Sequence, residues 1–291
     1  MSIGKAKIQV DLTILGSGGC MVIPKPLCRC RVCEEARSRG WPYERTGPSA
    51  FLHDENLLID TPAESALQLN RAGIDRIDYL LFTHLDPDHV EGSRVVEQIA
   101  LDFRTWKAYR GKKIRLILPR ALMAKMVDIR SIYGPLIDFY VAQGFVECIE
   151  FDQGTRIGET EVTAIPVDRG SQTSFVYVFE KEEAKIVYAP CDIKPFPEER
   201  KEVHGADLLV IQPGIFEDNL KHGFQYPGDH ISRKTLYTFE ETVALAWRIK
   251  AKKVLFVHME EYWNRGYDDY QAIQKELNNI QFAYDGMEVT V

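Results

Sequence analysis

Residues 83–92 constrain the fold of this chain more than any other segment. They read Thr-His-Leu-Asp-Pro-Asp-His-Val-Glu-Gly and follow an apolar run, residues 79–82, that predicts a short buried strand. Two imidazoles and two carboxylates therefore lie close together on a strand-to-helix loop, where they can converge on one or two divalent cations. These candidate ligands are His84, Asp86, Asp88 and His89. The alternative is a polar loop in which an aspartate caps the next helix and the histidines face solvent, but four such groups at one strand end favour a metal site.

In the rest of the chain, runs of predicted strands are separated by single predicted helices. Apolar runs rich in Val, Ile, Leu and Phe predict strands at residues 8–15, 50–53, 57–60, 79–83, 114–118, 146–151, 161–167, 175–179, 185–189, 208–212, 253–258 and 288–291. Helical spacing of apolar residues predicts helices at residues 64–72, 90–101, 120–132, 238–250 and 267–278. Thr238 and Glu241 have the spacing of a capping box. We expect a single domain over residues 1–291, with two sheets inside and helices outside; a split near residues 135–144 has weaker compositional support.

Length and charge narrow the functional classes. A chain of 291 residues, 45% of them hydrophobic, can bury a full core without disulfides. Its 36 Lys and Arg against 43 Asp and Glu give a formal charge of −7, which provides no long-range attraction to nucleic-acid phosphates. The apolar runs are far shorter than the roughly 20 residues of a membrane helix, and the first residues lack the apolar core of a signal peptide. We therefore expect a soluble cytoplasmic protein whose partner is a small molecule, and neither nucleic acid nor a membrane.

The motif at residues 83–92 resembles the signature of the metallo-β-lactamase superfamily. In that signature a strand is followed by Thr-His-x-His-x-Asp-His and, three residues on, a Gly; here Asp86 stands at the second His position. The family also has an Asp ending an early strand, an Asp after a mid-chain hairpin and a His ending a late strand, which Asp60, Asp192 and His258 match in the same order. The resemblance implies an α/β protein with the αββα four-layer sandwich of the metallo-β-lactamase type.

This resemblance implies two metal sites. In the family, the first His of the motif, the residue at the second His position and a later His bind one cation. The Asp-His pair and the final His bind the other cation, and the mid-chain Asp bridges both. The implied metal ligands are His84, Asp86, Asp88, His89, Asp192 and His258.

The later histidine of the first site is missing from the sequence. It should follow the predicted strand at residues 161–167, where the chain continues as Asp-Arg-Gly. Arg169 takes the His position when counted from the strand, and a one-residue slip would make Asp168 a ligand; both assignments stay open. Arg169 cannot bind a cation and would anchor a substrate anion instead, whereas Asp86 would shift the preference from zinc toward manganese or iron. The cleft could thus hold one or two divalent cations: zinc, manganese or iron.

A cysteine cluster indicates a second, structural metal site. Cys28, Cys30 and Cys33 are close enough to bind one zinc ion, which needs a fourth ligand; the alternative is three reduced thiols in a surface loop. A Gly-rich first loop followed by this cluster resembles the branch that contains the carbon–phosphorus lyase pathway phosphodiesterase and the pyrroloquinoline-quinone biosynthesis protein B. In that phosphodiesterase the fourth ligand lies three residues beyond the final metal-site His, which implies Glu261 here, with His230 and His222 as alternatives.

His230 is the candidate for work on the leaving group. In the same branch a His just before the penultimate helix has this role, and an imidazole titrates near neutral pH; the alternative is a polar loop residue. We expect a metal-dependent hydrolase in which a metal-bound hydroxide attacks a small, anionic phosphodiester, with Asp88 and His230 as catalytic residues and Arg169 and His230 as substrate-binding residues. The alternatives are hydrolysis of another ester, a lactone or a thioester, and a non-catalytic member that binds a metabolite in a degenerate site. A homodimer is compatible with the sequence.

Overall fold

The architecture comes from a computed structural model that describes residues 11–168 and 173–291, with Asp168 described by its backbone alone. In chain order the strands of the described residues are β1 (Asp11–Gly16), β2 (Ser49–Leu52), β3 (Leu57–Ile59), β4 (Tyr79–Leu81), β5 (Leu101–Asp102), β6 (Lys107–Ala108), β7 (Ile114–Pro119), β8 (Arg130–Ser131), β9 (Gly134–Pro135), β10 (Val146–Phe151), β11 (Gly154–Ile157), β12 (Thr160–Asp168), β13 (Thr173–Lys181), β14 (Ala184–Ala189), β15 (Leu208–Ile211), β16 (Lys253–Phe256), β17 (Ile280–Phe282) and β18 (Met287–Thr290).

Short to medium helices connect these strands. The α-helices of the described residues are α1 (Arg31–Arg39), α2 (Ser65–Ala72), α3 (Pro87–Val90), α4 (Val95–Ala100), α5 (Arg120–Met123), α6 (Leu136–Gln143), α7 (Ser232–Thr235), α8 (Phe239–Arg248) and α9 (Tyr267–Gln274). Turns of 3₁₀-helix lie at Glu91–Arg94, Met126–Asp128, Lys201–Val203, Lys221–Gly223 and Glu261–Trp263. No helix in the described part of the chain combines the length and the apolar content of a membrane span.

Fourteen of the strands form two seven-stranded mixed sheets. The first has the spatial order β10-β7-β4-β3-β2-β1-β18, and the second has the order β11-β12-β13-β14-β15-β16-β17. The final strand, β18, returns to the first sheet and pairs antiparallel with β1. Strands β3 and β4 are parallel in the first sheet, as are β14, β15 and β16 in the second. The carboxyl ends of each parallel set therefore lie at one edge of its sheet.

Both sheets contribute to one hydrophobic core. Ile14 and Leu58 of the first sheet belong to the same buried apolar cluster as Val176 and Val210 of the second. Helix α6 packs beside β10 and helix α9 beside β17, so helices flank the sheets. Two facing sheets with helices outside are the predicted αββα arrangement, and the prediction is confirmed.

The sequence predicts most of the observed strands but a smaller share of the observed helices. Each predicted strand coincides with an observed one within the described residues, and the capping box is confirmed: Glu241 N donates to Thr238 Oγ1 (3.2 Å) and Thr238 N donates to Glu241 Oε2 (2.9 Å). The helix predicted at 120–132 is wrong beyond Met123, because the chain turns to bury Met126 beside α6.

The helix predicted at residues 90–101 is interrupted, and the possible domain boundary at residues 135–144 falls on a second segment with regular structure. A 3₁₀ turn at Glu91–Arg94 interrupts the first, where a Cβ on Gly92 would meet the Pro62 carbonyl oxygen at 1.8 Å. The second segment contains helix α6, which begins after Pro135 and ends at Gly144 with a φ of 80°. The strands before and after it, β7 and β10, pair in one sheet.

Candidate metal centre

Strand ends of both sheets meet at one cleft. Asp60 follows β3 and His84 follows β4 in the first sheet, while Asp192 follows β14 and His258 follows β16 in the second. Two hydrogen bonds join the sheets beside these ends: Phe175 N donates to the Thr83 carbonyl (2.9 Å), and Tyr177 Oη donates to the Phe82 carbonyl (3.0 Å). The cleft is therefore built on the rigid edges of the two sheets rather than on long loops.

Three residues at these strand ends have left-handed backbone. The φ angles are 59° at Asp60, 56° at Asp192 and 60° at His258. Residues with a Cβ adopt this conformation rarely, and it is concentrated at functional sites. Here it occurs one to three residues after the strand ends, at Asp60, Asp192 and His258.

Asp60 fixes the orientation of the motif. Its buried carboxylate accepts hydrogen bonds from Thr83 N and Thr83 Oγ1, both at 2.8 Å, and lies 2.9 Å from His89 Nδ1. Burial raises the pKa of Asp60 to about 7. When Asp60 is ionised, His89 Nδ1 donates to it, and the lone pair of His89 is left on Nε2. Carboxylates hold metal-binding histidines in this way.

Thr83 fixes the orientation of the His84 ring in a similar way. Its hydroxyl proton goes to Asp60, so Thr83 Oγ1 accepts from His84 Nδ1, 3.0 Å away. The lone pair of His84 is then on Nε2, which faces Asp86 Oδ2 at 3.7 Å. His84, Asp86 and Asp192 form one group whose ligand atoms lie within 4.8 Å of one another.

A second group has the spacing of a metal site. Asp88 Oδ2 lies 3.5 Å from His89 Nε2 and 3.3 Å from His258 Nε2, and the two nitrogens are 3.4 Å apart. Ligands at metal distances of 2.0–2.2 Å in a tetrahedron are separated by about 3.3–3.6 Å. The three atoms can therefore bind one cation without rearrangement.

Burial and charge set the protonation of these groups. Burial lowers the pKa of His84 and of His89 to about 3, so both rings are neutral at physiological pH. Burial opposes a charge on His258, but Cys191 and the hydrogen bond to Asp88 raise its pKa well above the usual value. Burial likewise opposes ionisation of Asp88, and His258 and His89 hold the Asp88 pKa below its usual range. The neutral ring of His89 and the ionised carboxylate of Asp88 are thus ready to bind a cation, whereas His258 must first lose a proton.

Glu260 supports His258 from the opposite side, a role that the sequence did not suggest. Its Oε1 lies 3.3 Å from His258 Nδ1 and accepts a hydrogen bond from Cys20 N (3.0 Å). A Cβ at residue 19 would meet this oxygen at 2.2 Å, so the close approach requires Gly19. Glu260 is buried and can direct Nε2 of His258 into the cleft.

Cys191 is a functional candidate that the sequence analysis did not select. Its buried Sγ lies 3.5 Å from His84 Nε2 and 3.4 Å from His89 Nε2. The three residues form a third group of potential ligands, which shares His84 with one of the other cleft groups and His89 with the other. In the sequence, only its position directly before Asp192 pointed to a role for Cys191 in the cleft.

The cysteine cluster has the predicted fourth partner within reach. Glu261 Oε1 lies 3.2 Å from Cys28 Sγ, 3.3 Å from Cys30 Sγ and 3.6 Å from Cys33 Sγ. Lys221 donates to Cys28 Sγ at 3.0 Å and pairs with Glu261, and its hydrogen bond lowers the pKa of Cys28. These four ligand atoms form a group that contains neither His222 nor His230.

The structure does not place His230 in a ligand group. Its Nδ1 accepts a hydrogen bond from Ser232 N (3.2 Å), and its ring contacts Tyr226 at a centroid distance of 5.0 Å. None of the four candidate ligand groups found among the described residues contains it. Asp168 is the last residue of β12, and its side chain, like all of Arg169, lies outside the described residues.

Comparisons with solved structures confirm the predicted fold. A diphosphatase of the PhnP family superposes with a TM-score of 0.72 at 24% identity, covering 96% of this chain and 97% of that one. Zinc-bound PqqB from Methylobacterium extorquens gives 0.74 at 18% identity (96% and 99% covered). The short form of human tRNase Z gives 0.57 at 18% identity (96% and 98% covered). At these identities the likeness concerns the fold.

Two sequence comparisons give a match, and the second of them identifies the family. An octanoyltransferase of Porphyromonas gingivalis (strain ATCC BAA-308 / W83) is 38% identical over 82 residues, which are 27% of this chain but only 16% of that protein. The model of the beta-lactamase superfamily domain matches residues 55–259, a range that includes Asp60, the motif at 83–92, Asp192 and His258. With both the sequence match and the fold in agreement, this chain belongs to the beta-lactamase superfamily.

Proposed function

We propose that this protein is a metal-dependent hydrolase of a small, anionic phosphodiester. The triangle formed by Asp88, His89 and His258 carries the proposal, because its three edges of 3.3–3.5 Å equal the ligand separations around one cation. The adjoining group of His84, Asp86 and Asp192 provides room for a second cation. A divalent cation held here lowers the pKa of bound water and offsets negative charge on a phosphoryl group.

The residues around the triangle keep it ready to bind. Asp60 holds the proton of His89 on Nδ1, and Glu260 lies beside Nδ1 of His258, so both Nε2 atoms face the cleft. Burial in the strand ends keeps His84 and His89 neutral. This preorganisation supports a catalytic role, since ligands that are already oriented need little rearrangement when the cation and the substrate bind.

His230 is our proposed general acid. It is half-buried, and its ring packs against Tyr226, whose ring is followed by that of Tyr262 at 6.4 Å. Tyr262 lies two residues beyond Glu260, so this aromatic contact links the His230 loop to the segment that carries His258 and Glu260. A histidine on such a loop can donate a proton to a departing alkoxide near neutral pH.

The cysteine site is our proposed structural zinc site. Three thiolates and the Glu261 carboxylate would place four negative charges around one dication, and Lys221 lies where it offsets part of the excess. Glu261 is only three residues beyond His258. Zinc binding by Glu261 would thereby fix the segment that carries both His258 and Glu260.

The test is hydrolysis of bis-p-nitrophenyl phosphate by the metal-loaded protein, in parallel with a lactone and a thioester. We expect metal-dependent activity on the phosphodiester, loss of that activity in His258→Ala, and retention in His53→Ala, a histidine that binds Thr13 outside the cleft. His230→Ala should slow hydrolysis most for substrates with poor leaving groups. Activity confined to the lactone or the thioester would contradict the proposed substrate class, and inactivity on all three would contradict the proposed hydrolase.

A further inference from the structure

Cys191 has unusual surroundings for a buried thiol. It follows β14 and is only 5% exposed, yet it faces imidazole nitrogens rather than apolar groups. His84 Nε2 and His89 Nε2 lie 3.5 Å and 3.4 Å from its Sγ, and His258 is a third hydrogen-bonding neighbour. A free buried cysteine ordinarily packs as a small hydrophobic side chain.

The Cys191 thiol alone cannot satisfy both imidazole nitrogens. When Asp60 is ionised, it accepts from His89 Nδ1 and Thr83 Oγ1 accepts from His84 Nδ1, so each ring presents a bare lone pair on Nε2 to the sulfur. A thiol has one proton and can donate to only one of the two nitrogens. A cation would satisfy both nitrogens and the sulfur together.

The distances agree with a shared cation. Metal–sulfur bonds of about 2.3 Å and metal–nitrogen bonds of about 2.0–2.1 Å in a tetrahedron separate sulfur from nitrogen by about 3.6 Å. The two observed separations, 3.5 Å and 3.4 Å, are within about 0.2 Å of this value. Cys191 also lies next to Asp192 in the chain, at the point where the two carboxylate-containing ligand groups meet.

We propose that Cys191 is a thiolate ligand of the cleft metal centre, and that it adapts this centre to thiophilic divalent ions such as zinc or cobalt rather than manganese. On binding, the S–H bond breaks, the proton leaves to solvent, and the sulfur electron pair forms the metal–sulfur bond; nothing is oxidised or reduced. A thiolate compensates for the imidazole that the motif lacks at Asp86. The inference rests on the proposed function to the extent that a cation binds in the cleft.

Cobalt(II) provides a readout that does not depend on activity. Thiolate ligands give cobalt an intense charge-transfer absorption in the near ultraviolet, to which the Cys28, Cys30 and Cys33 site would also contribute. The spectrum of Cys191→Ser subtracted from that of the wild type therefore isolates the contribution of Cys191. Cys148→Ser, a half-buried cysteine of β10 in the first sheet, is the matched control.

We expect a thiolate-to-cobalt band in the difference spectrum for Cys191→Ser and none for Cys148→Ser. Cleft affinity for zinc should fall at least about tenfold in Cys191→Ser, with affinity for manganese little changed. Cobalt binding in the cleft with no sulfur band in the Cys191→Ser difference spectrum would overturn this inference and leave the proposed function standing. A cleft that binds no cation would overturn both.

A crystal structure of the zinc-loaded wild type removes any dependence on how the variant folds. The inference expects the Cys191 sulfur about 2.3 Å from a cleft ion. A cleft ion bound by Asp88, His89 and His258, with the sulfur more than about 3 Å away, would overturn it.

Discussion

The carboxylate of Asp60 lies 2.9 Å from Nδ1 of His89, and both side chains are completely buried. This contact decides which nitrogen of His89 faces the cleft. It joins the end of β3 to the helix that follows β4, so the orientation of the ring depends on the pairing of two parallel strands in the first sheet.

Asp60→Asn should weaken metal binding in the cleft about 10- to 100-fold. The asparagine oxygen can still accept from Thr83 N, but its amide nitrogen would then face His89 Nδ1 and favour the tautomer with the proton on Nε2. Titration with zinc, followed by metal analysis, measures this loss. The content of the cysteine site should remain at one ion per chain, and unchanged cleft affinity would refute the orienting role of Asp60.

Three alanine variants separate the two ligand groups of the cleft. Asp88→Ala and His258→Ala each remove one corner of the triangle with 3.3–3.5 Å edges, so each should abolish binding of the first cation. Asp86→Ala removes a ligand only from the adjoining group and should have the smaller effect. Metal stoichiometry after dialysis checks this order; equal loss in all three would show that both groups act as one two-metal site.

The sequence predicts those parts of the metal centre that depend on the order of neighbouring residues along the chain. The ligands at 84–89 stand on one short loop after a strand, and the strand ends at Asp60, Asp192 and His258 follow the family's order. Glu260 and Cys191 could not be selected in the same way, because their roles depend on which strand ends meet across the cleft. Helix α1 was not predicted, because its first turn overlaps the cysteine cluster, whose spacing indicates a metal site rather than a helical period.

Cys30→Ser should lower the melting temperature and remove one zinc ion per chain. Cys30 lies directly before α1 and faces Glu261, so a metal held there joins α1 to the segment after β16. A structural zinc ion contributes directly to folding free energy. Calorimetry with metal analysis tests this, with Cys148→Ser as the control; a variant with wild-type melting temperature and zinc content would exclude a structural ion.

The affinity of the cleft for a divalent cation should rise with pH around neutrality. The raised pKa of His258 means that its metal-free ring is protonated at pH 7, whereas His84 and His89, with pKa values of about 3, are already neutral. Binding must therefore displace the His258 proton, and affinity should fall about tenfold per pH unit on acidification for each proton released. Calorimetry in two buffers with different ionisation heats counts these protons; an affinity independent of pH from 6 to 8 would contradict this assignment.

Anomalous diffraction from crystals of the metal-loaded protein tests the central claim most directly. We predict one peak within about 2.0–2.3 Å of the ligand atoms of Asp88, His89 and His258, and a separate peak among Cys28, Cys30, Cys33 and Glu261. A peak at the cysteine site with none in the cleft would contradict the account of this protein as a metal-dependent hydrolase.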